Sequence, residues 1–411
     1  MKVAIIGGGA TGLFLSRLLA DVEDIEVTLF EKNKLGGNIH PVFVDGLGFV
    51  DLGFMVFNPE FYPIFYKLIA PQNFDILPVS MSFSVTSESF SWSSDWWGHL
   101  HSARFISLKN WLLLNRQAFY LQCNLSRYEN IQSPITCLVE DKKVGFFASR
   151  VLLPLARALW SITSEDIDEI PSSFVMRFFK NHKMLSLIRK VRWYTFKNSS
   201  IDYLNSLINP KVKVKLVAVK EVTRVQDGDE SKVIISSEAG VENFDIVCFC
   251  CDPDQLKFLL KDPNPAEEQF IRKLKCSENK VYLHKDSSLM PGKLTSASWN
   301  FFNVKNHKFV TYDLGRLQNK PGLYVTLNPP KTPENVIYQT TLKHPSWSPR
   351  MEGKEIDFLS AHPSTYFAGA YFGWCFQEDA LRSALAVFKS IMSHKARSSE
   401  NFLNDSFLSI G

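Results

Sequence analysis

Three glycines near the N-terminus have the spacing of a loop that binds phosphates. Gly7, Gly9 and Gly12 directly follow the β-branched apolar run VAII. In such a loop the first glycine permits a tight turn, the second lets the backbone approach a pyrophosphate, and the third allows close packing of a helix on a strand. Glu31 lies about 20 residues further along, where an acid binds the ribose hydroxyls. Together these residues predict a bound dinucleotide.

A second glycine pair indicates which dinucleotide is bound. Gly36 and Gly37, in the stretch LGGN, follow shortly after the ribose-binding acid. A nicotinamide dinucleotide needs no second glycine turn at this point, whereas a cofactor whose remaining length is buried under the chain does. The pair therefore favours FAD, with an ordinary loop as the alternative.

Local hydrophobic patterns predict the elements that position these glycines. VAII reads as a strand, Leu13, Phe14, Leu18 and Leu19 have helical spacing, and EVTLFEK reads as a second strand that ends at Glu31. After residue 204 the stretches KVKVKLVAVKEVTRV, SKVIISS and ENFDIVCFCC again read as strands, and a helix is expected behind Asp252.

The remaining chain differs in pattern. Residues 58–204 contain aromatic-rich helices and no further strand-helix-strand signature. Residues 264–363 carry the strand-like pieces NKVYLHKD, ASWNFF, FVTYDL and LYVTLNPP, which predict an antiparallel sheet with no helix of note. STYFAGAYFG and a helix follow, and the polar tail over 396–411 is expected to be flexible.

Composition limits the class of protein. The 411 residues suggest about two to three domains, and we expect two. The net charge is only +4 and no dense basic tract occurs, so no nucleic-acid partner is expected. The seven cysteines lack metal-ligand spacing, and no apolar leader precedes the first strand, which predicts reduced thiols, no metal and a cytoplasmic protein.

The glycine loop, the acid, the LGGN turn and the late strand-helix glycine motif together resemble the flavin-containing amine oxidase superfamily. More closely, VDLGFMVFNPEFYP, HKDSSLMP, SASWNFF, LKHPSW and FAGAYFGWCFQEDALRS are similar to bacterial NAD/FAD-binding oxidoreductases often encoded beside cyclopropane-fatty-acid synthases. The resemblance implies an α/β fold: a discontinuous Rossmann-like FAD-binding domain (1–57, 205–263 and 364–395) and an interleaved α+β substrate domain (58–204 and 264–363).

The resemblance also implies the cofactor contacts. The expected FAD-binding residues are Gly7, Gly9, Ala10, Thr11, Gly12, Glu31, Lys32, Gly36, Gly37, Asn38, Gly53, Phe54, Val219, Gly369, Ala370, Glu378, Asp379 and Ala380. The final helix would present its N-terminus to the flavin pyrimidine, where negative charge collects in the reduced form. For Glu378 and Asp379, favourable interaction with the helix dipole is the preferred role, ahead of a catalytic one.

The same resemblance assigns candidates on the substrate side. Lys280 corresponds to a lysine that contacts flavin N5 through a water, with a surface lysine as the alternative. The other substrate candidates are Phe57, His284, Trp299, Phe376 and Gln377. A lone strand histidine is more often structural than catalytic.

Several positions depart from the family pattern. Cys375 and Ala384 stand where glycine is usual, Gln377 where histidine is usual, and Asn198-Ser199 replace a glycine pair. Each change adds or alters side-chain volume near the expected flavin site.

Four of the nine tryptophans, Trp92, Trp96, Trp97 and Trp111, lie between Phe90 and Leu114. His99, His101, Arg104, Phe105 and Lys109 lie in the same stretch. Burial in a core is the favoured interpretation, because tryptophan is usually buried. A peripheral membrane contact is the alternative, because tryptophan and basic residues both favour the headgroup region.

The sequence, with its resemblance, predicts an FAD-dependent oxidoreductase that transfers hydride from a substrate C–H bond to flavin N5. The expected substrate is a fatty-acyl chain or another small hydrophobic molecule. Two other functions stay open: a flavin amine oxidase, and a non-catalytic flavoprotein that is the partner of a lipid-modifying enzyme.

Overall fold

The computed structural model describes residues 1–162, 165–184, 191–227, 230–346 and 362–398. The strands are β1 (Lys2–Ile6), β2 (Glu26–Phe30), β3 (Pro41–Val44), β4 (Gly48–Asp51), β5 (Ile76–Val79), β6 (Phe83–Ser87), β7 (Phe90–Ser93), β8 (Trp193–Phe196), β9 (Lys213–Lys215), β10 (Val219–Asp227), β11 (Glu230–Ser237), β12 (Gly240–Phe244), β13 (Ile246–Phe249), β14 (Lys275–His284), β15 (Trp299–Val304), β16 (His307–Asp313), β17 (Tyr324–Leu327), β18 (Val336–Ser346) and β19 (Thr365–Phe367). The α-helices are α1 (Ala10–Ala20), α2 (Pro63–Ile69), α3 (Trp96–Ile106), α4 (Leu108–Cys123), α5 (Leu125–Tyr128), α6 (Gly145–Phe147), α7 (Leu153–Leu159), α8 (Ser172–Asn181), α9 (Ile201–Leu207), α10 (Pro253–Leu259), α11 (Pro265–Lys273), α12 (Leu314–Gln318) and α13 (Gln377–Ser398).

A parallel five-stranded sheet contains the glycine loop. Its strand order is β19-β13-β1-β2-β9, with β1 at the centre. Val3 and Ile5 of β1 face a core shared with α1 and α13, whereas Ala4 and Ile6 face the core under the β10–β12 meander. The strand is buried on both faces, which explains its uninterrupted apolar run. The strands of this sheet come from three separate parts of the chain: β1 and β2, then β9 and β13, and finally β19.

The second large element is a seven-stranded sheet of order β18-β14-β17-β16-β15-β6-β7. All its pairs are antiparallel except β15 with β6, which are parallel. Helices α4 to α8 share a hydrophobic core with this sheet. The antiparallel sheet expected over 264–363 is therefore present, and two strands from the helix-rich part of the chain extend it.

Three expectations about local structure are wrong. Helix α11 lies in a region expected to hold no helix of note, although Asn264 and Glu267 form a capping box with Pro265 at the first helical position. Strand β18 is not among the expected strands. Its sequence, VIYQTTLKHPS, has no regular alternation of apolar and polar residues, and in the structure its side chains alternate only weakly between buried and exposed. Helix α13 continues to Ser398, past the expected start of the tail at residue 396. The remainder of that tail, residues 399–411, lies outside the described residues.

Asp51 joins three separate parts of the chain next to the glycine turns. Its carboxylate accepts hydrogen bonds from the Ser200 backbone N–H (2.9 Å) and hydroxyl (2.6 Å). Its backbone N–H and C=O bond the side-chain amide of Gln318 on α12. The side chain is buried, and burial raises the pKa of Asp51 to about 6. At neutral pH the folded protein therefore holds a buried carboxylate here.

Asp51→Asn is expected to reduce the pH dependence of folding stability. An unfolded aspartate loses its proton near pH 4, whereas folded Asp51 loses it near pH 6. The stabilisation from this proton is therefore complete below about pH 4 and is lost as the pH rises through about 6, a change of about 2–3 kcal/mol. The measurement is urea unfolding at several pH values. Asp45→Asn, at an exposed position of the same β3–β4 hairpin, is the matched control. Equal pH profiles for Asp51→Asn and the wild type would contradict the assignment.

Candidate functional site

A cavity of about 910 Å³ lies between the two large sheets. We call it the main cavity. One side is formed by the loops after β1, β2 and β13, represented by Gly9, Glu31 and Asp252. The opposite side is formed by the seven-stranded sheet, including Val281 and Trp299. Ligands of parallel α/β sheets bind at the carboxyl ends of the strands, which is where this cavity begins.

The glycine loop is held by contacts that only glycine allows. Gly7 has a φ of +110°, and its N–H donates to the carbonyl of Phe30 at 2.8 Å. A Cβ on Gly7 would lie 2.6 Å from the carbonyl oxygen of Cys250. A Cβ on Gly12 would overlap the carbonyl oxygen of Gly7. These two glycines bring α1 against β1 and β13, so their role is packing.

The N-terminus of α1 is open toward the main cavity. Its N-cap residue is Gly9, no side chain caps the helix, and the first turn holds no acid. Gly9, Ala10 and Thr11 line the cavity. Unpaired N–H groups and the positive end of the helix dipole make this terminus suitable for a pyrophosphate.

Glu31 follows β2 and lines the cavity beside this helix. Its carboxylate accepts hydrogen bonds from the N–H groups of Gly8 (2.7 Å) and Asn33 (2.9 Å). These bonds orient the carboxylate at the end of the strand. An anchored carboxylate in this place suits the hydroxyl pair of a ribose.

The second glycine turn packs directly on the first. Gly36 and Gly37 have φ values of +115° and +56°. The N–H of Gly36 donates to the carbonyl of Gly8 at 2.8 Å. A Cβ on Gly37 would lie 3.1 Å from the Cα of Gly9. Backbone therefore lies on backbone at this point, and the next residue, Asn38, donates to the carbonyl of Lys343 on β18 at 2.9 Å.

The structure brings most of the expected cofactor residues together. Gly7, Gly9, Ala10, Thr11, Glu31, Lys32, Gly37, Asn38, Gly53, Phe54, Val219, Gly369, Ala370 and Ala380 line the main cavity. Gly12 and Gly36 do not, since they pack backbone against backbone. The first turn of α13 reaches the cavity through Gln377 and Ala380.

Glu378 and Asp379 do not line the main cavity, and their expected contact with the cofactor stays a prediction. Glu378 accepts from the N–H groups of Ile64 and Phe65 at 3.0 and 3.1 Å, and so caps the start of α2. Asp379 accepts from the N–H of Phe376 at 3.1 Å. Burial raises the pKa of Asp379 to about 6 and also raises the pKa of Glu378.

Among the substrate candidates, Trp299, Phe376 and Gln377 line the main cavity. Phe57 does not, because it is fully buried in a ring cluster with Phe65 at 4.8 Å. The side chain of Phe57 therefore belongs to the hydrophobic core.

His284 and Lys280 also lie outside the lining of the main cavity. His284 is fully buried, with its Nε2 2.7 Å from the hydroxyl of Thr326 and its Nδ1 accepting from the N–H of Asp286. Burial lowers the pKa of His284 to about 4, so it is a neutral structural residue. Lys280 is exposed, whereas its strand neighbours Asn279 and Val281 line the cavity. Side chains alternate along β14, so Lys280 points away from the site.

Three histidines that are absent from the sequence-based candidates belong to the site. His40, His182 and His344 all line the main cavity. Burial lowers the pKa of each to about 4, so all three are neutral at pH 7. His40 Nε2 lies 3.1 Å from the Nζ of Lys34, which also disfavours its protonation. The sequence offered a signal for two of these histidines, since His40 and His344 each directly precede a proline.

Two of the departures from the family pattern occur where the backbone is left-handed. Cys375 has a φ of +70° and Ser199 a φ of +78°. Glycine adopts such angles with least strain, so a side chain at either position carries a backbone cost. Cys375 lines the main cavity, and burial raises the pKa of its thiol, so the thiol is protonated.

Comparison with known proteins identifies one domain and the overall fold. Residues 5–70 match the family model of the NAD(P)-binding Rossmann-like domain. A search of curated proteins gave no match. The chain has a mixed α/β fold with a Rossmann-like part, and solved structures of flavin-dependent oxidases share this fold.

Three solved structures share this fold over nearly the whole chain. A protein assigned as a protoporphyrinogen oxidase, from Exiguobacterium sp. 255-15, has a TM-score of 0.69 at 14% identity. The CLA-producing fatty acid isomerase of P. acnes has a TM-score of 0.63 at 14% identity, and a putrescine oxidase with three substitutions that redesign cofactor binding has 0.65 at 11%. Each comparison covers 95% of this chain and 98% of the other. At these identities the likeness establishes the fold.

Gly9→Ala is expected to impair dinucleotide binding without impairing folding. The φ of Gly9 is −76°, and an added Cβ would meet only the Cα of Gly37 at 3.9 Å, an ordinary contact. The methyl group would, however, lie in the space required by a pyrophosphate, so we expect affinity for FAD to fall at least about tenfold. Gly12→Ala is the contrasting variant and should destabilise the fold by about 1–3 kcal/mol or more, since it overlaps backbone. Thermal unfolding and flavin titration of both variants distinguish the two roles; equal loss of stability in both would contradict them.

Glu31→Ala is expected to weaken FAD binding by about 1–3 kcal/mol, through loss of a charge-assisted hydrogen bond to ribose. Equilibrium dialysis with flavin fluorescence measures the change. Glu26→Ala, an exposed position at the start of the same strand, is the matched control. Unchanged affinity in Glu31→Ala would remove this residue from the site.

Proposed function

We propose that the protein is an FAD-dependent oxidoreductase that desaturates or oxidises a hydrophobic substrate, in the first place a fatty-acyl chain, with hydride passing from a C–H bond to the flavin and one proton released from the substrate. The observation that carries this proposal is the continuity of the main cavity. A single space of about 910 Å³ extends from the glycine loop to an apolar sheet surface. A dinucleotide and an organic substrate can therefore occupy adjoining parts of one cavity.

The residues of the cavity fit FAD. The start of α1 would hold the pyrophosphate and Glu31 the ribose, while Val219 lines the cavity near these groups. The first turn of α13 would lie at the other end of the cofactor, where its dipole favours negative charge. When bound, the flavin supplies the hydride acceptor, and the protein supplies position and electrostatics.

Apolar side chains cover much of the sheet end of the main cavity. Leu159, Val281, Tyr312 and Leu327 contribute apolar surface next to Trp299. The neutral histidines described above add hydrogen-bonding capacity without charge. An apolar surface of this type suits removal of hydride, since it limits the access of water to the reacting atoms.

The charge distribution favours a hydrophobic substrate over an amine. Among the described residues that line the main cavity, the carboxylates are Glu31 and Asp252, and both belong to loops of the parallel sheet. An ammonium group at the apolar end would lack a counter-charge there, although aromatic rings are present. Amine oxidation, the activity named for one structural neighbour, is therefore the less favoured alternative.

Anaerobic reduction of the bound flavin is the test. Protein purified with FAD is mixed with free fatty acids, with putrescine and with NADH, and the visible absorbance of the oxidised flavin is followed. We expect bleaching with an acyl substrate, and neither rapid bleaching by NADH nor bleaching by the diamine. Reduction by the amine alone would establish the amine oxidase, and tight flavin binding with no reduction by any class would favour a non-catalytic partner of a lipid-modifying enzyme.

A variant that places a charge in the main cavity tests where the acyl chain binds. Thr340 of β18 lines the cavity and is the cross-strand neighbour of Val281 on β14. The next residue, Gln339, is exposed and lies outside the lining. Thr340→Glu should slow reduction by acyl substrates at least about tenfold, because burying an unpaired carboxylate in an acyl site is costly. Gln339→Glu introduces the same charge outside the cavity and should leave the rate unchanged. Equal rates in both variants would place the acyl chain elsewhere.

A further inference from the structure

Helices α3 and α4 expose an unusual amount of apolar surface. Trp96 and Trp97 at the start of α3 are 67% and 68% exposed. Leu100, Phe105, Leu108, Leu112 and Phe119 are the other exposed apolar side chains of the two helices. We call this surface the α3–α4 face. Clusters of exposed large apolar residues mark interaction sites, whereas single ones do not.

The distribution of residues around α3 is the reverse of an ordinary surface helix. Its buried positions are Gly98, Ser102 and Ile106, two of which are small. The large residues, including both exposed tryptophans, point outward. An ordinary surface helix buries its apolar stripe against the core. The hydrophobic effect therefore does not explain this helix within the monomer, and its outward side requires an environment of its own.

The two other tryptophans of the stretch hold the face in place. Trp92 is buried and donates its indole N–H to the Nδ1 of His99 at 3.1 Å. Trp111 on α4 donates to the backbone carbonyl of the same histidine at 2.9 Å. His99 Nε2 also lies 3.0 Å from the side-chain oxygen of Asn115. Core burial, the favoured interpretation of the sequence, thus applies to Trp92 and in part to Trp111, and it is wrong for Trp96 and Trp97.

The charge of the face is positive. Arg104, Lys109 and Arg116 are exposed among the apolar residues. The sequence contains no aspartate or glutamate from Trp96 to Tyr128. Asp95, the N-cap residue of α3, lies next to Trp96, and its carboxylate is 3.9 Å from the guanidinium of Arg316. Outward tryptophans beside an excess of cations match the headgroup region of a bilayer that contains anionic lipid. A homodimer through this face would instead bring these cations against each other.

We propose that the α3–α4 face docks the protein on the surface of a membrane that contains anionic lipid, with Trp96 and Trp97 inserted at headgroup level. No helix among the described residues has the length and apolar character needed to span a bilayer. The docking does not depend on the proposed redox activity, because none of the exposed residues of the face lines the main cavity.

Vesicle sedimentation with the flavin-loaded protein tests the proposal. Vesicles of phosphatidylcholine alone are compared with vesicles that also contain phosphatidylglycerol. We expect binding to the anionic vesicles at low salt, and weaker binding at high salt because surface charges are screened. Tryptophan fluorescence should shift to shorter wavelength on binding.

Two sets of variants assign the effect to the face. The double variant Trp96→Ala/Trp97→Ala should lower the partition coefficient at least about tenfold. Phe258→Ala, which removes a 72% exposed ring elsewhere, is its control and should have no effect. The triple variant Arg104→Gln/Lys109→Gln/Arg116→Gln should lower binding to anionic vesicles by about tenfold or more. Its charge-matched control changes the exposed residues Lys220, Lys261 and Lys331 to Gln.

Membrane docking and self-association through the α3–α4 face give different results in these experiments. Loss of vesicle binding in the double variant, with unchanged flavin absorbance and melting temperature, supports the proposal. A double variant that binds vesicles like the wild type would overturn it. So would a wild type that binds no anionic vesicles and sediments as a dimer that the double variant converts to a monomer, since the face would then contact a second copy.

Discussion

Close contact between backbone segments at the glycine turns is the constraint on which the rest of the site depends. Gly12 packs on the carbonyl of Gly7, and Gly7 packs on the peptide between Cys250 and Cys251. These contacts bring α1 to the carboxyl ends of β1 and β13, and they leave its N-terminus facing a cavity. Side chains at these two positions would separate the helix from the sheet. The binding surface for phosphates thus exists because side chains are absent.

The second glycine turn connects the glycine loop to the seven-stranded sheet. Gly37 lies against Gly9, and the following residue, Asn38, bonds the backbone of β18. The phosphate end of the site and the apolar sheet are therefore connected through a few residues. Asp51 reinforces the same region by joining the β3–β4 hairpin to the segment before α9 and to α12. A buried carboxylate in this place costs stability at neutral pH, while its hydrogen bonds fix the geometry.

Strain and exposure are concentrated outside these contacts. Cys375 adopts a left-handed conformation on the cavity surface, directly before the helix whose dipole faces the site. Such strain persists only where surrounding packing determines the backbone. The exposed tryptophans of α3 have a comparable basis, because the His99 hydrogen bonds to Trp92 and Trp111 fix the helix whose outward side they occupy. In both cases a locally unfavourable feature is retained by a well-packed neighbour.

The sequence by itself determined the features that depend on local backbone chemistry. A dinucleotide-binding fold was predictable from the glycine spacing, the acid at the end of β2 and the apolar run of β1. Each of these features depends only on residues that are close together in the sequence. Most of the residues expected to bind the cofactor do line one cavity. Helix α11 was equally predictable from its capping box at Asn264.

Only the tertiary structure decided which side chains face the site. Lys280 points away from the cavity, whereas Val281 lines it. The sequence shows that side chains alternate along the strand, but only the packing of the sheet shows which of its two faces lines the cavity. Phe57 and His284 are buried by elements far away in sequence, and the three cavity histidines come from three separate parts of the chain. The sequence gives the residue types and their local spacing. The burial, the pKa and the orientation of each side chain result from contacts between segments that are distant in the sequence.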